Sequence, residues 1–143
     1  MLRSPRGDSY QGDFIYDTRH GRGIYKYENG DVYEGDFTAD KREGKGTFLF
    51  HNGNMYRGDF VNGRFEGYGW YEFEDGYYEG QWEAGNYGGI GQLRYKNGGS
   101  YTGRFAAGIA DGMGEEKTPD GVTRIGMWKD GELQSEVDDA VDV

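Results

Sequence analysis

Two histidines and a wide scatter of carboxylates are the residues of this 143-residue chain that could hold a metal or move a proton. His20 stands at a spacing where later stretches carry Glu43, Glu66 and Asp111, and His51 stands beside Asn52 and Gly53. Such positions do not converge on a ligand set, and solvated turn residues are what they support. Asp and Asn before glycines lack the Asp-x-Asp-x-Asp-Gly run and distant Glu of a calcium loop. Pairs such as Gly21 and Gly23 lead into aromatic runs, whereas a phosphate cradle needs glycines leading into a helix N-terminus. No cysteine is present, which removes thiolate nucleophiles, thiolate zinc sites and disulfides together. The expectation is a chain that is not an enzyme and uses neither cofactor nor metal.

Charge narrows the partners. The net charge is −10, and much of it sits at the end, where Lys129 faces Asp130, Glu132, Glu136, Asp138, Asp139 and Asp142. Nucleic-acid binding draws on phosphate neutralisation by a basic face, so no nucleic-acid partner is expected. Anionic membranes ask for the same clusters of Lys and Arg. The densest groups, Lys41-Arg42-Lys45 and Arg19-Arg22, have acids nearby, which disfavours a membrane without removing it. Neither an apolar run of membrane-spanning length nor a secretory leader is legible, so a cytoplasmic location is expected.

The elements that would position any site come from an internal repeat. Tyr10-Gln-Gly-Asp-Phe14, Tyr33-Glu-Gly-Asp-Phe37, Tyr56-Arg-Gly-Asp-Phe60, Tyr78-Glu-Gly-Gln-Trp82 and Tyr101-Thr-Gly-Arg-Phe105 follow one another every 22 or 23 residues. A sixth, Arg124-Ile-Gly-Met-Trp128, loses only the Tyr. Seven residues after each Phe or Trp a Gly-x-Gly-x-aromatic-x-aromatic run begins, as in Gly21-Gly23-Tyr25-Tyr27 and Gly44-Gly46-Phe48-Phe50. In the fifth copy Glu116 and Thr118 replace the apolar pair. Alternation with period two puts Tyr, Gly and Phe on one face of a strand, so each repeat reads as a β-hairpin. Asn62-Gly63, Ala84-Gly85, Ala107-Gly108 and Asp130-Gly131 supply turns within hairpins, and Asn29-Gly30, Asn52-Gly53, Asp75-Gly76 and Asp120-Gly121 between them. Glycine is unfavourable in mid-strand unless something uses the bare backbone. The expectation is an aromatic ring from one strand lying flat over glycine on its neighbour.

The fold class that follows is all-β: an elongated, single-layer antiparallel sheet of consecutive hairpins, about eleven strands, twisted and curved. Residues 1–8 are expected to be a disordered N-terminus, with Ser4-Pro5 a weak phosphorylation motif, residues 9–131 the repeat domain, and 132–143 an acidic tail. Within that tail Glu132 to Val141 could form a short helix.

This period and these residues resemble the MORN repeat, the membrane occupation and recognition nexus motif, from Tyr10 to about Gly131. The resemblance implies a non-catalytic module. The family occurs in radial spoke and other axonemal proteins, protist cytoskeletal scaffolds, junctional membrane proteins, plant phosphoinositide kinases and a lysine methyltransferase. It implies a stand-alone scaffold or adaptor of a cilium or cytoskeleton that binds an extended or helical protein segment, with a phosphoinositide or membrane module as the alternative.

Partner binding is expected on the aromatic row, through Phe37, Tyr56, Phe60, Tyr78, Trp82 and Phe105. Trp70, on the opposite face, is the second candidate. Polar substitutions in the fifth and sixth copies imply an aromatic groove that stops near Phe105 and a capped end. The competing reading of that end is a homodimer paired through Met127 and Trp128.

Overall fold

The computed structural model describes residues 2–3 and 7–137. Every regular element among them is a β-strand, and the chain packs into two compact units, Met1–Glu74 and Asp75–Val143. The first unit holds β1 (Leu2–Arg3), β2 (Ser9–Ile15), β3 (Thr18–Lys26), β4 (Val32–Thr38), β5 (Lys41–Leu49), β6 (Met55–Val61) and β7 (Arg64–Phe73). The second holds β8 (Gly76–Glu83), β9 (Asn86–Tyr95), β10 (Ser100–Ala106), β11 (Ile109–Lys117), β12 (Thr123–Lys129) and β13 (Glu132–Glu136). In each unit the strands form an open antiparallel sheet in chain order.

Among the described residues thirteen strands form where the repeat leads to about eleven. The additional ones flank the repeats. Leu2 and Arg3 pair with Tyr10 and Ser9. Asp8, expected within a disordered N-terminal segment, is buried, with its carboxylate accepting from the Tyr25 hydroxyl and the Glu28 N–H. At the other end Glu132–Glu136 is strand, so the short helix considered there is corrected. The Asp130-Gly131 turn brings the segment onto the open edge of β12, whose unpaired backbone groups it satisfies. Ser4-Pro5 and residues 138–143 lie outside the described residues.

The hairpin turns are tight. Asn62-Gly63, Ala84-Gly85, Ala107-Gly108 and Asp130-Gly131 all have positive φ at both positions, the backbone that matches the twist of the flanking strands. Tyr16-Asp17 and Ala39-Asp40 adopt it without glycine.

In mid-sheet, glycines face one another strand after strand: Gly12, Gly23, Gly35, Gly46, Gly58 and Gly69 in the first unit, Gly80, Gly91, Gly103, Gly114 and Gly126 in the second. The expected ring-over-glycine packing is present. A Cβ added at Gly23, Gly46 or Gly69 would lie 2.4–2.5 Å from a ring carbon of Tyr10, Tyr33 or Tyr56. Each of these phenols donates to the carbonyl three residues on, Asp13, Asp36 and Asp59, at 2.6–2.7 Å. The hairpin register shifts at this point, and the Asp carboxylates clamp the irregularity by accepting from the N–H groups of Arg22, Lys45 and Tyr68. Edge-to-face ring contacts complete this core, as between Tyr33 and both Phe37 and Phe60 at 5.0–5.1 Å.

Candidate functional site

The aromatic face has two tiers. In each unit its floor is built from the repeating Tyr and Phe or Trp of the first strands: Phe37, Tyr56 and Phe60 are there in the first unit and Tyr78, Trp82 and Phe105 in the second, none more than 6 % exposed. These six sequence-expected binding residues form the core. A partner lying on this face meets a different set, because the rings of the second strands stand above the floor and cover it.

In the first unit that upper tier is an unbroken file. Tyr25, Tyr27, Phe48, Phe50, Tyr71 and Phe73 follow one another with ring centroids 4.5, 5.8, 4.7, 6.1 and 6.1 Å apart. All but Phe48 are half-buried, so each presents an edge or face to solvent. The Gly-x-Gly-x-aromatic-x-aromatic motif carried this signal, but period-two alternation puts both tiers on one face and cannot rank their exposure.

One further position lies between the tiers, five residues after each Phe or Trp of the floor. It is Arg19, Arg42 and Phe65 in the first unit and Tyr87, Ala110 and Leu133 in the second. Phe65 and Tyr87 stack on Tyr56 and Tyr78, each with centroids 3.8 Å apart and planes 5° off parallel. Arg42 lies 5.1 Å from the Phe48 centroid and 5.9 Å from that of Phe60, and donates to the Tyr27 hydroxyl at 2.7 Å and the Gly63 carbonyl at 2.6 Å. Arg19 lies 4.8 Å from Tyr25 and 5.4 Å from Phe37, and donates to the Asp40 carbonyl at 2.8 Å.

Toward the C-terminus the floor runs further than expected. Trp128 is buried, its ring edge-on to Tyr101 at 5.4 Å and its indole N–H donating to the Gly114 carbonyl at 3.2 Å. The aromatic floor therefore does not stop near Phe105, because Trp128 repeats the Phe105 position against the next tyrosine. Of the pair Met127 and Trp128, burial of Trp128 leaves only Met127 exposed at that edge.

The opposite face carries Trp70, half-buried and across from Arg57. Near it a hollow of about 350 Å³ is bordered by Arg22, Lys45 and Arg57. Arg22 pairs with Asp36 at 3.0 Å and Lys45 with Asp59, so two of these cations are already matched. His51 is held by Asp31, which accepts from its backbone at 2.8 Å and meets its ring Nδ1 at 2.9 Å. His20 lies within β3.

A family model for the MORN repeat matches residues 10–32, 33–55, 56–76, 78–100 and 101–123. The chain belongs to the MORN repeat family. No curated protein matches it significantly. MORN repeats occur in protein-binding and membrane-binding scaffold proteins, and the family is generally non-catalytic.

The MORN core has a titration signature. Burial pushes the phenols of Tyr10, Tyr25, Tyr27, Tyr33, Tyr56 and Tyr101 above their ordinary value. An unfolded tyrosine ionises at pH ~10. The folded state keeps its protons above that pH while the unfolded state loses them, so this stabilisation is full below about pH 10 and is lost as pH rises through the raised values. Ultraviolet absorbance should show these six phenols ionising only as circular dichroism reports unfolding. Ionisation of every tyrosine in one step with the sheet intact would contradict the packing.

Proposed function

We propose that this chain is a non-catalytic protein-binding scaffold or adaptor of a cilium, axoneme or other cytoskeletal assembly in the cytoplasm. An extended or helical segment of its partner lies along the upper aromatic tier of the first unit. The observation that supports this most is the file of rings from Tyr25 to Phe73, solvent-accessible at every ring but Phe48 and held by the buried floor beneath it. Rigid aromatic area with low conformational freedom is what binding hot spots are built from. The acidic charge selects partner segments in which apolar residues are flanked by Lys or Arg.

Phe50→Ser with Tyr71→Ser should abolish capture of the cytoskeletal partner while circular dichroism stays sheet-like, because both rings lie above the core. The contact should survive high salt, since its apolar part is not screened. Retained capture by the double variant, with loss on Trp70→Ser, would move the site to the opposite face. The alternative of a phosphoinositide-binding module is addressed by co-sedimentation with phosphoinositide vesicles, where the paired state of Arg22 and Lys45 leads us to expect no enrichment.

A further inference from the structure

The position that holds Arg19, Arg42, Phe65 and Tyr87 in the first four repeats is Ala110 in the fifth. Its backbone is placed as the others are. Ala110 pairs with Phe105 as Arg42 pairs with Phe37. Its carbonyl accepts from Gly131 at 3.0 Å, as that of Arg42 accepts from Gly63 at 3.0 Å. Only the side chain is missing, and a cavity of about 440 Å³ opens there.

The walls of this cavity correspond residue by residue to the surroundings of Arg42. Arg42 is enclosed by Tyr27, Tyr33, Phe48, Phe60 and the Gly63 carbonyl. At the same places around Ala110 stand Tyr95, Tyr101, Glu116, Trp128 and Gly131, and all five line the cavity. Tyr101 keeps its two edge-on neighbours, Phe105 at 5.0 Å and Trp128 at 5.4 Å, yet among the described residues no ring stacks on its face. The substitution of a ring by Glu116 places a carboxylate inside. Its Oε1 accepts from both Nε, at 3.0 Å, and Nη2 of Arg124, so this carboxylate lines the cavity as one half of an ion pair.

The geometry points to a binding site for one arginine side chain of a partner protein, taking the place that Arg42 fills within its own repeat. This deepens the scaffold reading by naming a residue the partner must supply. A guanidinium is planar, stacks on rings and donates in a fixed fork, which suits the rings of Tyr95, Tyr101 and Trp128 and a turn carbonyl better than an ammonium does. The acidic balance of the chain complements its charge.

The test uses N-acetyl-arginine methylamide and the full chain, followed by amide and indole nuclear magnetic resonance. We expect shifts confined to Ala110, Glu116, Gly131 and the Trp128 indole, with N-acetyl-lysine methylamide binding about tenfold more weakly. Ala110→Arg should fill the site from within, remove those shifts and raise the melting temperature. Ala110→Phe, which copies the ring that Phe65 and Tyr87 place at this position, serves the same purpose should the arginine variant not fold. Shifts scattered elsewhere, equal binding of the lysine compound, or undiminished binding to the filled variants would each overturn the proposal. Because the probe is not a partner protein, failure here leaves the capture experiment on Phe50 and Tyr71 intact, and failure there leaves this site intact.

Discussion

Gly46→Ala is expected to destabilise the protein by about 1–3 kcal/mol, and Tyr33→Ala to remove most of that penalty. The three atoms nearest to a Cβ at Gly46 all belong to Tyr33: Cε1 at 2.4 Å, the hydroxyl at 2.5 Å and Cζ at 2.6 Å. The ring cannot retreat. Its hydroxyl donates to the Asp36 carbonyl at 2.7 Å, its edge contacts hold it between Phe37 and Phe60, and none of it is exposed. Gly46 has no positive φ, so its requirement for glycine comes from the ring rather than from the backbone.

Gly35, in contrast, supplies a control within the same repeat. A Cβ there would lie 2.5 Å from the Gly46 Cα and from the Lys45 carbonyl oxygen, both backbone, with the Tyr33 hydroxyl next at 2.7 Å, so removing the ring leaves the backbone clash in place. Tyr33→Ala alone should cost about 3–5 kcal/mol, as loss of a large buried aromatic does. In urea unfolding, the pair Tyr33→Ala and Gly46→Ala should then show a coupling of about 1–3 kcal/mol, and the pair Tyr33→Ala and Gly35→Ala much less. Equal, additive costs at both glycines would mean that the ring does not dictate glycine at position 46.

Much of this arrangement is legible in the sequence because the repeat states each rule several times. Hairpins, glycine turns and rings lying over glycine all follow from period-two alternation with glycine at fixed offsets, and the structure has them. The Tyr16-Asp17 and Ala39-Asp40 turns are hidden, because residues with side chains resist positive φ and carry no composition signal for it. Exposure is misassigned for a different reason. Phe37 and Phe50 share a face and a type, and only the cross-strand register, which sets Phe37 opposite Arg42 and Gly21, makes one floor and the other surface. The position of Ala110 is invisible as a site, since Arg19 and Arg42 break the hydrophobic pattern that would have marked it as a repeat position. Likewise β13 escapes notice because Glu132–Glu136 offers one apolar residue, Leu133, and it is the open edge of β12 that orders the segment.

Trp128→Ala is expected to cost about 3–5 kcal/mol, although it lies in the last, incomplete repeat, where terminal strands are ordinarily frayed and tolerant. The reason is that Trp128 closes the floor. It supplies the second edge-on contact to Tyr101, and Tyr101 in turn covers Gly114, where a Cβ would come within 2.1 Å of its hydroxyl. Removing the indole therefore uncovers the ring that seats the fifth hairpin, and not merely the last strand. Trp128→Phe separates packing from hydrogen bonding, because Phe60 and Phe105 occupy the same repeat position and make the same edge contacts to Tyr33 and Tyr78. That variant forfeits the bond to the Gly114 carbonyl, at about 0.5–1.5 kcal/mol, plus part of the ring area. Urea unfolding gives the two costs, and amide hydrogen exchange locates them, with lost protection expected at Gly114 and Gly126 for the alanine variant. If Trp128→Ala unfolds at the midpoint of the parent chain, the floor ends at Phe105 after all and the last hairpin contributes no packing to it.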